Sequence, residues 1–165
     1  MKVSVDDLRR LRLFEDAQED DLRQIAELIV RREYPEQTVI FWEGSEGREL
    51  FFVERGEVII SRRLRGRVEH VLARLGPGTF FGEVALLTDG VHRATAQTAE
   101  PTSVLVIDGT AVLRIIEDTP QAAARFFLHL ARELSLRLVD ANDKIREAVM
   151  WGLDATHFQE MEQEQ

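Results

Sequence analysis

The spacing of hydrophobic residues changes three times along the chain. From Val5 to Glu33 apolar residues repeat at the interval of one helix face, until Tyr34-Pro35 ends the pattern. Between Thr38 and Asp108, short runs rich in Val, Ile and Phe are separated by glycines, which is typical of strands joined by tight turns. These runs are Thr38–Trp42, Leu50–Glu54, Val58–Arg62, Val68–Leu75 and Ser103–Ile107.

The last third of the chain is helical again. The helical period returns at Thr110, breaks at Thr119-Pro120 and continues to about Trp151. This order predicts an α+β fold, in which N-terminal helices and a long C-terminal helix flank a jelly-roll-like β-roll, also called a double-stranded β-helix. A chain of 165 residues suits one domain. We expect residues 1–138 to form that domain and residues 139–165 to form a helical extension.

Charge and composition narrow the possible partners. The chain has 21 Lys and Arg against 30 Asp and Glu, a net charge of −9, so we expect no general attraction to nucleic acid or an anionic membrane. It contains no cysteine, which excludes disulfides, thiol catalysis and thiolate metal sites. It has no signal-peptide pattern and no apolar run of membrane-spanning length, so we expect a cytoplasmic protein.

One segment, Gly78–Thr95, carries residues with recognisable chemistry. A strand is predicted to end just before Gly82, and this glycine permits a close approach of the backbone. Residues 83–87 can form one short helix whose first N–H groups suit an anion, and Arg93 from the next strand can clamp a phosphate. Glu83 suits a sugar hydroxyl rather than a phosphate. Together these groups predict a site for a nucleotide whose phosphate lies close to its ribose.

The motifs of this chain resemble those of the cyclic nucleotide-binding domains of the catabolite activator protein, protein kinase A regulatory subunits and cyclic-nucleotide-gated channels. The resemblance extends over residues 10–138 and includes Leu13-Phe14, Phe41-Trp42-Glu43-Gly44, Arg55-Gly56-Glu57-Val58 and the segment Gly78–Thr95. It implies a β-roll flanked by helices that binds cAMP or cGMP, here without a DNA-binding domain. In that family arrangement Glu83 holds the ribose 2′-hydroxyl, while Arg93 and the backbone at Val84-Ala85 hold the cyclic phosphate.

The register of the arginine leaves one question open. Arg93 follows Glu83 by ten positions, as in the catabolite activator protein, whereas many family members are one residue shorter. An ungapped match of Ala94-Thr95 to the usual Ala-Thr puts His92 at the arginine position, and one residue of slip turns a strand side chain to the opposite face. Either Arg93 points inward or His92 faces the phosphate. The predicted ligand contacts are Phe81, Gly82, Glu83, Val84, Ala85, His92, Arg93, Ala94 and Thr95.

Two classes of function remain. In the first, the chain is a regulatory module that binds a cyclic nucleotide and signals to a downstream protein through rearrangement of its helices. In the family that the chain resembles, a hydroxyl on the residue after the arginine favours guanine, so Ala94, which has none, implies cAMP rather than cGMP. In the second, Glu83 is an ordinary carboxylate at a helix start, Arg93 is a solvated arginine, and the fold serves dimerisation or scaffolding. No motif indicates an enzyme or a metal site. Only 27 residues follow Leu138 and seven of them are acidic, so no DNA partner is expected.

The C-terminal residues predict coupling and assembly. By analogy with the family, Leu86 and Leu87 are placed to couple the short helix to Leu113, Ile115 and Ile116. A heptad seam then predicts a homodimer through the long helix. The seam consists of Phe127, Ala131, Leu134, Leu138, Ala141, Ile145, Ala148 and Gly152. The alternative is that Gly152 turns the chain and that later apolar residues (Trp151, Leu153, Phe158) fold back over the seam.

Overall fold

The structure is a computed structural model that describes residues 2–14, 17–63 and 69–163, with the backbone alone at residues 12 and 152–163. Its helices are α1 (Val5–Arg9), α2 (Glu19–Leu28), α3 (Glu83–Leu87), α4 (Gly109–Asp118) and α5 (Pro120–Gln163), and a 3-10 turn covers Arg12–Phe14. Its strands are β1 (Val30–Tyr34), β2 (Val39–Phe41), β3 (Glu49–Arg55), β4 (Val58–Arg63), β5 (Glu69–Leu75), β6 (Phe80–Phe81), β7 (Thr95–Thr98) and β8 (Thr102–Asp108). The chain divides into two units, Met1–Phe126 and Phe127–Gln165.

The eight strands form two antiparallel sheets in the first unit. One sheet has the order β1-β8-β3-β6 and the other has the order β2-β7-β4-β5. Strands that are distant in sequence are neighbours in both sheets, as when Val30 of β1 pairs with Val106 of β8. The structure thus confirms the predicted α+β fold with a β-roll and flanking helices.

The core of the roll comes from alternating residues on strands of both sheets. One cluster of buried residues combines Phe51, Val53, Phe81, Val104 and Val106 of the first sheet with Val58 and Ala96 of the second. Alternation places the other residues of β3 and β8 on the opposite face of the first sheet, where Phe52 and Leu105 are fully buried. Phe14 packs against Phe52 there, with ring centroids 5.9 Å apart, and stacks on Phe126 at 5.3 Å. Aromatic contacts therefore fix the N-terminal segment and the start of α5 to the roll.

One predicted element is wrong. The expected helical segment Val5–Glu33 ends at Leu28, and residues 30–34 form strand β1 instead. Pairing with β8 accounts for the difference. Arg31 adds to it, because its guanidinium bonds both oxygens of Glu54 on β3 (2.7 and 2.6 Å) and lies 2.9 Å from Asp7 of α1. The hydrogen bonds that Arg31 donates to Glu54 and to Asp7 raise its pKa, although burial opposes them. Tertiary pairing overrides the local helical pattern here.

The described residues of the second unit, 127–163, all belong to helix α5. The helix continues through Gly152 to Gln163, so it extends beyond the expected end near Trp151, and the alternative of a turn at Gly152 is wrong for the backbone. Described side chains from Leu138 to Trp151 are all exposed. Among the described residues, no helix combines the length and apolar composition needed to cross a membrane. Residues 64–68, which include the first residue of the predicted strand Val68–Leu75, lie outside the described residues.

Candidate functional site

Gly82 forms the turn between β6 and α3 and lies against β3. Its φ angle is +89°, in the left-handed region that favours glycine. A Cβ at this position would lie 2.5 Å from the carbonyl oxygen of Glu49 and 3.0 Å from the ring of Phe51. Any larger residue would push the start of α3 away from the sheet. Glycine is therefore required twice, for the backbone angle and for the close approach.

Residues Glu83, Val84 and Ala85 form the first turn of α3, as predicted. Glu83 is 9% exposed and Ala85 is buried, whereas Val84 faces solvent. The helix closes through two backbone bonds, from the Leu86 N–H to the Gly82 carbonyl (3.2 Å) and from the Thr88 N–H to the Val84 carbonyl (3.1 Å). The Thr88 hydroxyl also donates to the Val84 carbonyl at 2.5 Å. The turn thus holds a buried carboxylate at the first residue of a short helix.

An aromatic cluster connects this turn to His92. Phe81 stacks on Phe51 with ring centroids 4.9 Å apart, and Phe41 packs against both rings at 5.7 and 5.9 Å. The imidazole of His92 lies flat on Phe41 at 3.7 Å, with an angle of 7° between the rings. His92 therefore belongs to the packed interior rather than to the surface of the roll.

His92 is fixed by its backbone as well as by its ring. Its N–H donates to the Ser45 carbonyl at 2.9 Å, and its carbonyl accepts from the Gly44 N–H at 2.8 Å. A Cβ on Gly47 would overlap Nε2 of the imidazole, so the loop closes over the ring only with glycine there. Burial lowers the pKa of His92, and the nearby charge of Glu49 opposes that shift only in part. The imidazole is neutral at neutral pH.

Arg93 points the other way, into solvent. Its side chain is 55% exposed, and Nη2 bonds Oδ2 of Asp89 at 2.5 Å. Desolvation raises the pKa of Asp89, but the N–H of Val91 and the charge of Arg93 outweigh it and leave that pKa below its usual value. Of the two residues left open by the sequence, His92 thus faces inward and Arg93 outward. Which of them contacts a phosphate stays a prediction.

Ala94 and Thr95 lead from this segment into β7. Ala94 is half-buried, and Thr95 is buried with its hydroxyl oxygen accepting the Glu43 N–H at 3.0 Å. The carboxylate of Glu43 in turn accepts from Nε of Arg62 (3.1 Å) and from the N–H of Arg63 (3.2 Å). The Thr95 hydroxyl therefore holds the turn before the Glu46–Val91 bridge in contact with β7.

Arg48 lies beside the predicted site but was missed from the sequence. Its Nε would lie 3.0 Å from a Cβ on Gly90, and its carbonyl accepts the Gly109 N–H at 2.8 Å. Leu86 also lies next to Gly109, since its Cδ1 is 3.5 Å from the position that a Cβ on that glycine would occupy. The start of β3, the turn after α3 and the start of α4 therefore meet at Arg48. No local motif signals this contact, because it depends on segments that are far apart in sequence.

Other parts of the described chain are weaker candidates for a ligand or metal site. A cavity of about 160 Å³ lies between α2 and α4, with Gln24, Ile25, Arg114 and Thr119 in its wall, and none of the predicted ligand contacts lines it. Within the described ranges, no group of three or more His, Asp or Glu side chains is placed to hold a metal ion. The predicted contacts that the structure brings together are thus those of the α3 turn and, through Phe41, His92.

Sequence comparison places these features among known proteins. Residues 31–119 match the family described as cyclic nucleotide-binding domain. Over 104 residues the chain is 38% identical to the cyclic AMP receptor protein of Thermus thermophilus, which covers 63% of this chain and 48% of that protein. The chain spans about half the length of the first relatives it matches by sequence, at 48% and 57% of their lengths.

Two solved structures resemble the fold. The catabolite activator protein of Thermus thermophilus aligns with a TM-score of 0.68 and 32% sequence identity, covering 79% of this chain and 61% of that chain. A cyclic nucleotide-binding domain from Methylobacillus flagellatus aligns with a TM-score of 0.76 over 86% of this chain and 79% of its own. At 20% identity, that second likeness shows the fold alone.

Proposed function

Because the chain belongs to the cyclic nucleotide-binding domain family, we propose that it is a regulatory module that binds a cyclic nucleotide at the segment Gly78–Thr95. In this proposal Glu83 accepts the ribose 2′-hydroxyl, and the backbone of Gly82, Val84 and Ala85 donates to the cyclic phosphate. Arg93 supplies the positive charge and a pair of parallel N–H donors. Phe81, Ala94 and Thr95 lie in the same segment and are further predicted ligand contacts.

The α3 turn is the observation that carries the proposal. Gly82 has a left-handed φ angle and lies directly against β3. The next residue, Glu83, has a carboxylate side chain and is 9% exposed. A short helix that starts on such a glycine and places a carboxylate at its first residue, next to the predicted phosphate contacts, supports a ribose-binding role for Glu83.

The same segment supports cAMP as the preferred nucleotide. Ala94, the residue after the arginine, has no hydroxyl to offer to a guanine base. The neighbouring hydroxyl, on Thr95, already accepts a backbone N–H from Glu43 at 3.0 Å. The sequence relative from Thermus thermophilus is named as a cyclic AMP receptor protein. We therefore expect cAMP to bind more tightly than cGMP.

Calorimetric titration of the purified chain with cAMP and with cGMP tests this function. Loss of a charged partner from a binding site costs on the order of 2–5 kcal/mol, so Arg93→Ala should weaken binding by a factor in the tens to thousands. Arg23→Ala is the matched control, because Arg23 also forms an exposed i,i+4 ion pair at 2.5 Å, with Glu19 on α2. Absence of heat and of any thermal shift at millimolar nucleotide would refute the proposal.

A second candidate function is a dimerisation or scaffold module that binds no nucleotide. The outward position of Arg93, paired with Asp89, and the inward position of His92 favour it. Both candidates include a homodimer through α5 and an unidentified downstream protein. Exposed apolar residues along α5, among them Leu138 and Ile145, support a partner helix. The titration separates the two, since only the regulatory module responds to nucleotide.

A further inference from the structure

We propose that Asp89 competes with the ligand phosphate for Arg93, so that the ion pair within the loop sets the nucleotide affinity of the site. This inference rests on the proposed function and concerns a residue outside the predicted ligand contacts. Arg93 Nη2 lies 2.5 Å from Oδ2 of Asp89, and each side chain is 55% exposed. The guanidinium is thus held by a carboxylate of its own segment.

The loop orients Asp89 for this contact. Oδ1 of the carboxylate accepts from the N–H of Val91 at 3.3 Å and lies 3.3 Å from the hydroxyl oxygen of Thr88. These contacts leave Oδ2 directed at Arg93. Thr88 is tied in turn to the last turn of α3 by its bond to the Val84 carbonyl. The acceptor for Arg93 is therefore positioned by the same short helix that carries Glu83.

A phosphate and the carboxylate of Asp89 bind the same N–H donors of Arg93. Both present oxygens to the guanidinium, and the planar donor pair of arginine suits either anion. When Arg93 turns its donors to a phosphate, it must leave Oδ2 of Asp89. The energy of the existing pair is then subtracted from the energy of binding.

Calorimetric titration with cAMP tests the competition in variants of the full chain. Asp89→Asn keeps the shape and an oxygen acceptor for Val91 but removes the charge, and Asp89→Ser offers a hydroxyl oxygen to the same N–H as a second variant. An exposed ion pair of this kind is worth about a two- to fivefold change in an equilibrium constant, so both variants should bind cAMP about two- to fivefold more tightly. Asp89→Glu retains the charge and should show no such gain.

Glu46→Gln is the matched control for charge. Glu46 faces Val91 across an isolated bridge and therefore borders the same loop, but within the described part of the chain it forms no ion pair with Arg93. It should bind cAMP as the original chain does. Equal gains in Glu46→Gln and Asp89→Asn would overturn the proposal in favour of a general charge effect.

The outcomes separate this inference from the function on which it rests. If the original chain does not bind cAMP or cGMP, the proposed function fails and the competition fails with it. If the original chain binds but Asp89→Asn and Asp89→Ser bind equally or more weakly, with unchanged thermal unfolding, the competition alone is overturned. Tighter binding cannot arise from damage to the loop, because a damaged loop lowers both affinity and stability.

Discussion

His92 is a titratable side chain enclosed by the roll. Its ring covers Phe41 at 3.7 Å, and its edge closes on Gly47. Glu49 acts on it from β3, but that carboxylate is itself bonded to Arg32 at 2.6 Å. Burial therefore dominates, and the pKa of His92 lies below its ordinary value of 6.5. The folded state thus favours the neutral imidazole.

The stability of the protein should accordingly fall in mild acid. Below pH 6.5 the unfolded chain takes up a proton at His92 that the folded chain does not, so the free energy of unfolding decreases as the pH falls through this range. One proton accounts for at most about 1.4 kcal/mol per pH unit. Urea unfolding at several pH values should show a shallower dependence in His92→Asn than in the original chain.

The exposed His70 of β5 is the control for that experiment. His70→Gln should keep the full pH dependence, because the His70 side chain is exposed whereas that of His92 is buried. Identical pH dependence of the original chain and His92→Asn would show that His92 does not control acid stability.

At the scale of elements, α3 is linked to α4 through the start of β3. Leu86 approaches Gly109 at the first residue of α4, and the N–H of Gly109 is bonded to the Arg48 carbonyl at 2.8 Å. Ile115 of α4 is buried, whereas Leu113 and Ile116 are exposed. A movement of α3 would therefore be transmitted to the N-terminal end of α4, at Gly109, rather than to the exposed Leu113 and Ile116.

Binding of cAMP should change hydrogen exchange in residues 111–127. The physical reason is that capture of the ligand by the α3 turn displaces Leu86 from its place beside Gly109, which alters the packing at the start of α4. Mass spectrometry of the exchanged protein, with and without cAMP, measures the effect peptide by peptide. Strand β1, which pairs with β8 at the opposite edge of its sheet from β6, is the internal reference and should not change. Confirmed binding with unchanged exchange in residues 111–127 would exclude this route.

The sequence predicts the elements whose signals are local. The helix at residues 83–87 and the break at Thr119-Pro120 follow from a glycine and a proline, and both are found where expected. Strand β1 cannot be predicted in this way, since its residues Val30–Tyr34 become a strand through pairing with β8, about seventy residues later. Local periodicity carries no information about such a partner.

The candidate site shows the same division at finer detail. The glycine and the carboxylate of the α3 turn can be predicted because both lie in one short local motif, Phe81-Gly82-Glu83. Which of His92 and Arg93 points inward cannot be predicted, because a shift of one residue in the register reverses their orientations. That register depends on how the turn at Asp89-Gly90 packs on Arg48. Asp89 itself carries no signal in the sequence, since an aspartate before a glycine is common in any turn.

At the scale of the whole molecule, the feature that remains unexplained by the first unit is helix α5. Leu138 and Ile145, two residues of the predicted seam, are each 62% exposed. Exposed apolar residues at heptad spacing are stabilised when a second helix covers them, and a second copy of this chain supplies an identical seam. Small residues at Ala141 and Ala148 permit the close approach of two such helices.

Light scattering should therefore report a dimer of about twice 18.9 kDa. Leu138→Glu combined with Ile145→Glu places charges in the seam and should give a monomer. Leu136→Glu combined with Met150→Glu is the matched control, because both residues are exposed and lie off the seam, and it should leave the dimer intact. An original chain that is monomeric at high micromolar concentration would contradict the assembly.

The packing of His92 on Gly47 also constrains how this protein can evolve. A methyl group at position 47 overlaps the imidazole. Two hydrogen bonds hold the backbone of His92 and Phe41 packs against its ring, so a shift of the ring disrupts that packing. An alanine at position 47 becomes acceptable only after the ring at position 92 has been exchanged for a smaller side chain. The two positions are therefore epistatic, and of the two possible orders of substitution only the one that begins at position 92 avoids the overlap.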